Sequence, residues 1–169
     1  MEPFFKITLT LALTANSSTA LASPVLWQDI EAAMPASRLM QLYPERKAKP
    51  KVKWRKRAVF IEQVPVVNCF ADVEIVTDKP MLAPNAAVKS VNMEGYGCAG
   101  ATFRALLAKY GSPADVRNDN EDDLWALNDK VRDATWTDND KVIHFKSESG
   151  GIISNWTVTY TPVSISSGL

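Results

Sequence analysis

His144 is the only histidine in the chain, set within Val142-Ile143-His144-Phe145. Nucleophilic catalysis of the Ser-His-Asp or Cys-His kind would have to pass through it, because the hydroxyl or thiol needs an adjacent base. No G-x-S-x-G elbow is present to supply a serine. Strand alternation puts His144 with Val142 and Lys146, opposite Ile143 and Phe145, so it reads as an ordinary residue on the wetter face of a strand. Asp119-Asn120-Glu121-Asp122-Asp123 has the composition of a calcium loop. An EF-hand counted from Asp119 requires glycine sixth and glutamate twelfth, and this chain has Leu124 and Lys130 there. Gly95-x-Gly97-x-x-Gly100 spells the dinucleotide fingerprint and precedes a helix pattern. That fingerprint works only inside a parallel β-α-β unit, whereas the surrounding strands read as antiparallel. No metal and no cofactor is therefore expected. Paired carboxylates leave a small envelope hydrolase as the alternative, since their spacing in space is what diagnoses such chemistry.

The strongest chemical signal is electrostatic. Eight basic side chains lie between Arg46 and Arg57: Arg46, Lys47, Lys49, Lys51, Lys53, Arg55, Lys56 and Arg57, with Trp54 among them. Contiguous like charge raises the local potential even in a chain whose total is zero, and a lysine near an anionic surface contributes about 1 kcal/mol. Trp54 would add an amphipathic anchor. The competing reading is a solvated loop leading into an edge strand, where lysines discourage edge-to-edge pairing. With 19 Lys+Arg against 19 Asp+Glu, the balance argues against a dedicated nucleic-acid binder, because phosphate contacts need a basic excess.

Cys69 and Cys98 are read through the compartment. Met1 to Ala22 has the form of a signal peptide: Lys6, an uncharged run from Ile7 to Ala15, then Ala20-Leu21-Ala22 before Ser23-Pro24. The run is shorter than the roughly 20 residues that span a bilayer. The expected location is periplasmic or secreted, with residues 23–169 as one domain and possible halves at 23–94 and 95–162. In an oxidising compartment the two cysteines, 29 positions apart and without a C-x-x-C partner, are expected to form a disulfide.

Several elements must carry these residues. Leu26, Ile30, Met34, Leu39, Leu42 and Tyr43 recur at helical spacing, with Pro35 opening a helix to Tyr43 and Pro44 stopping it. Phe103, Leu106, Leu107 and Tyr110 make a cleaner stripe, closed by Gly111 and Pro113. Strands are expected from Val59 to Val66, with Pro65 marking an edge or bulge, and at Cys69–Val76, where Cys69, Ala71, Val73 and Ile75 alternate with Phe70, Asp72, Glu74 and Val76. Val88–Met93, Leu124–Leu127, Ala134–Trp136, Val142–Phe145 and Ile153–Tyr160 complete the set. The two helix ends, Leu39-Met40-x-x-Tyr43-Pro44 and Leu106-Leu107-x-x-Tyr110-Gly111, echo each other 67 positions apart.

The opening Trp27, Ile30 and Met34, and the helix end Leu106, Tyr110, Gly111 and Pro113, resemble the BamE-like (SmpA/OmlA) and beta-lactamase-inhibitor-like modules. The resemblance implies a small exported α+β protein that binds other proteins and carries no catalytic residue. No cysteine follows the export signal closely, so a lipid anchor is not implied.

The expected fold is α+β, short helices packed on antiparallel sheet, possibly as two tandem helix-plus-strands units. The expected function is non-enzymatic binding of a protein or other anionic envelope component through Arg46 to Arg57.

Overall fold

The computed structural model describes residues 23–44, 50–118, 131–150 and 153–163. A short hairpin, β1 (Val25–Trp27) and β2 (Ile30–Glu31), leads into α1 (Ala36–Leu42) and a four-strand meander: β3 (Val52–Arg55), β4 (Ala58–Val66), β5 (Cys69–Thr77) and β6 (Val88–Tyr96). Helix α2 (Ala99–Tyr110) precedes a second meander of β7 (Asp115–Asn118), β8 (Val131–Asp138), β9 (Lys141–Gly150) and β10 (Ile153–Pro162). The meanders meet at their last strands. β6 pairs β10 antiparallel, Gly95 opposite Trp156 and Met93 opposite Val158, which joins both into one sheet of order β3-β4-β5-β6-β10-β9-β8-β7.

The helix-packed α+β class is therefore overturned. The described chain is mostly β, with one large eight-stranded antiparallel sheet and two helices. Two physical reasons account for the difference. The Leu26, Ile30, Met34 spacing belongs to a hairpin rather than to the approach of a helix, because Gln28 and Ala33 adopt left-handed backbone, φ 47° and 58°. All three side chains are buried all the same. In addition, β3 and β7 are four-residue edge strands with too few positions to display a period of two.

Alternation sorts the sheet into two faces. Val52, Ile61, Val73, Met93, Val158, Phe145, Ala134 and Val116 are paired in sequence across all eight strands. Most of them are fully buried, and they belong to one continuous apolar cluster with Leu39 of α1 and Phe103 and Leu106 of α2. Phe103 sets its ring 5.7 Å from Trp136 and 5.4 Å from Phe145. Two indoles hold α2 by its ends. Trp156 Nε1 donates to the Gly97 carbonyl at 2.7 Å, just before the N-cap Cys98, and Trp136 Nε1 donates to the C-cap Gly111 carbonyl at 2.8 Å. Gly111 sits at φ 75°, which suits glycine.

Cys69 and Cys98 form a disulfide that ties the start of β5 to the N-cap of α2, with Cα atoms 6.4 Å apart. That separation is within the ordinary range for such bridges. The export segment 1–22, the strand expected at Leu124–Leu127 and the acidic stretch Asp119–Asp123 lie outside the described residues. Among the described residues no helix is long and apolar enough to cross a membrane.

Candidate functional site

Opposite the core, the same sheet presents a second row. Lys53, Phe60, Glu74, Asn92, Thr159, His144, Thr135 and Asp115 are paired across the eight strands. These side chains are partly or fully exposed. The helices and the β1–β2 hairpin touch the sheet through its buried face. The polar row is thus an open surface among the described residues, bordered on one side by the basic hairpin β3–β4.

Six of the nine residues singled out for docking fall in described structure. Lys51 directly precedes β3, and Lys53, Trp54, Arg55, Lys56 and Arg57 occupy β3 and its turn into β4, while Arg46, Lys47 and Lys49 lie outside the described residues. The segment is an edge strand paired to β4 from Val52 to Arg55. Its turn is pinned by backbone bonds: the Lys56 carbonyl accepts from Met81 N, and the Arg57 carbonyl from Thr77 N and Oγ1.

Alternation divides the basic set. Lys53 and Arg55 share the open face, where Lys53 pairs with Glu62 and the Arg55 guanidinium sits 4.4 Å over the Phe60 ring. Trp54 turns to the other face, 44% exposed, and its Nε1 donates to the Tyr43 carbonyl at the end of α1, 2.9 Å away. The hydrogen bond from Lys53, reinforced by neighbouring cations, holds the Glu62 carboxyl below its ordinary range.

A shallow cavity of about 340 Å³ adjoins this edge, with Lys51, Glu62, Phe70, Asp72, Glu94 and Tyr96 around it. Phe70 and Tyr96 are 65% and 62% exposed. They stand side by side because Ala71 pairs with Gly95 one position along. Asp72 accepts a 3.0 Å bond from Gln63 N at a bulge, where Gln63 has φ 61°. Sequence reasoning missed this aromatic pair. The alternation of β5 placed Phe70 on the outer face, but nothing in sequence aligned it with Tyr96.

Among the described residues, the carboxyls displaced from their ordinary values, Glu62, Asp78 and Glu148, are displaced downward by hydrogen-bond donors. His144 takes the predicted place on the polar face, its Nε2 2.5 Å from Asp133 Oδ1. The glycine triplet is likewise structural: Gly95 lies beneath Trp156, Gly97 turns the chain at φ 65°, and β6 runs antiparallel to both neighbours. No group of three or more metal-ligating side chains occurs among the described residues. Comparison with protein-family models, with curated proteins and with solved structures finds no match for this chain.

Proposed function

We propose that this is a non-enzymatic binding protein of the periplasm or the cell exterior, docking an anionic partner through the basic hairpin. The favoured partner is an acidic protein, and Arg46, Lys47, Lys49, Lys51, Lys53, Trp54, Arg55, Lys56 and Arg57 form the contact region. One observation carries the reading. The described part of the basic run is not a free arm but a paired, pinned edge strand beside an open sheet face that also bears two exposed aromatic rings. Aromatic and arginine side chains held rigidly at low entropic cost are the usual anchors of protein interfaces. The Cys69–Cys98 bridge supports an oxidising compartment. The resemblance to BamE-like and beta-lactamase-inhibitor-like modules, which bind proteins without catalysis, supports the same class.

The test is capture from an envelope extract at low and high salt, using the disulfide-bonded protein and a Lys51→Glu, Lys53→Glu, Arg55→Glu variant of unchanged circular dichroism. Recovery of one acidic protein that salt and the triple substitution both abolish is expected. Equal capture by the variant removes the basic hairpin from the binding surface.

A further inference from the structure

β3 closes one end of the sheet, with β4 on one side and, among the described residues, no strand on the other. One bond sets the phase of its ladder: the Lys51 carbonyl accepts from Glu62 N at 2.9 Å. Residues of an antiparallel strand alternate between turning their backbone groups to the neighbour and turning them away. Lys53, opposite Phe60, and Arg55, opposite Ala58, therefore turn N–H and C=O toward β4. Val52 and Trp54 turn both groups outward. No backbone bond among the described residues takes them up. Two donors and two acceptors, in pairs roughly 7 Å apart along the strand, thus line the outer edge.

The side chains beside this edge are sorted by charge as well as by face. Lys51, Lys53 and Arg55 lie at alternate positions on the open face, and all three act on the Glu62 carboxyl. Among the described residues Glu62 is the one carboxylate ion-paired with any of them, so three cations stand against one anion. On the opposite face Val52 is buried and Trp54 half-exposed. An edge carrying three cations repels a second copy of itself, which is how lysines guard strand edges. A strand with carboxylates at alternate positions meets no such barrier, because opposite charges on neighbouring strands attract.

We infer that the acidic partner docks by adding an extended segment antiparallel to β3. Its backbone bonds Val52 and Trp54, every second side chain is a carboxylate beside Lys51, Lys53 and Arg55, and the residues between are apolar. Strand addition of this kind takes affinity from main-chain bonds and specificity from alternate side chains. The inference rests on the docking role of the basic hairpin and supplies its mode.

NMR titration of the disulfide-bonded protein with the capped peptide acetyl-Glu-Val-Glu-Val-Glu-amide tests it. Two methylated forms separate backbone from charge, one N-methylated on both valines, the other on the second and third glutamates. In the inferred pairing the valine amides point at β3 and the glutamate amides point away. Saturable shifts along β3 are expected, with the parent and the glutamate-methylated peptide about equal and the valine-methylated one about tenfold weaker. Bound peptide should slow amide exchange at Val52 and Trp54 about tenfold, while Lys53 and Arg55 are protected with or without it. Equal binding of both methylated forms means charge capture without strand addition. That result overturns the inference and leaves docking through the basic hairpin standing. No binding of the parent peptide, while salt-sensitive capture of an acidic protein persists, overturns it likewise. A dimeric mass of the protein alone, reversed by Lys51→Glu, Lys53→Glu, Arg55→Glu, would put a second copy on the edge and also overturn it. Every peptide arm uses the unsubstituted protein, so none depends on a variant folding.

Discussion

A Cβ on Gly95 would lie 2.2 Å from Cζ2 of Trp156, on the strand paired with it. No side chain fits there, because Trp156 is 1% exposed and its indole is tethered to the Gly97 carbonyl. Gly95→Ala must push the ring off that bond and out of the core, at an expected cost of about 3 kcal/mol. Gly97→Ala has open space around it but φ 65°, and is expected to cost about 1 kcal/mol. Urea unfolding of both variants checks the ranking.

Trp136 and Trp54 each donate an indole hydrogen bond to the last carbonyl of a helix, Gly111 and Tyr43 respectively. Their burial differs, and so should their worth. Trp136→Phe leaves a void in a 1% exposed position and loses the bond, an expected loss of about 2–3 kcal/mol. Trp54→Phe, at a half-exposed edge, should cost less than about 1 kcal/mol. Equal losses in chemical denaturation would contradict the packing described for the two rings.

The Cys69–Cys98 bridge closes a loop of 29 positions. Cross-linking a loop of that length stabilises by about 3–4 kcal/mol in the chain-entropy account. Reduction, or a Cys69→Ser, Cys98→Ser double variant, is expected to lower the urea midpoint accordingly. An unchanged midpoint would show that the pairing of β5 with β6, Ala71 opposite Gly95, already fixes the loop ends.

Burial, with Tyr110 beside it, pushes the Tyr160 phenol far above its ordinary range. The folded protein therefore favours the protonated ring. The associated stability is complete below the unfolded value near about 10 and is lost as pH rises beyond it. Tyr160→Phe should flatten the fall in melting temperature between about pH 9.5 and 11.5.

At the acid end, the Ala87 N–H donates to Asp78 Oδ1 at 2.9 Å and holds that carboxyl below its ordinary value. A depressed carboxyl stabilises above its unfolded value, near about 4, and the benefit disappears as pH falls through the folded one. The Ala87 amide chemical shift should titrate with this transition. In Asp78→Asn it should not move.

Local grammar was legible in the sequence. The Phe103, Leu106, Leu107, Tyr110 stripe with Gly111 gave the body and the end of α2, while its first turn, from Ala99, carried no apolar period to announce it. The alternation of Ala71, Val73 and Ile75 gave the buried side of β5. Pro65 sits where β4 runs past the end of β3, which pairs only as far as Ile61, so its missing donor faces no strand. Long-range pairing was not legible. Nothing near Gly95 or Trp156 announces that residues 61 positions apart lie side by side, yet that seam turns two meanders into one sheet. The basic run was visible as charge, but its division between two faces follows from the register of Lys53 on Phe60 and Trp54 on Val59.

β10 follows every other described strand in the chain and yet lies at the middle of the sheet, between β6 and β9. Until it arrives, both of those strands end in raw backbone, and neither meander has its neighbour. Closure is thus a late, nonlocal event of the slow kind. A polypeptide built this way stays threadable throughout its synthesis and locks only once its closing strand has been delivered.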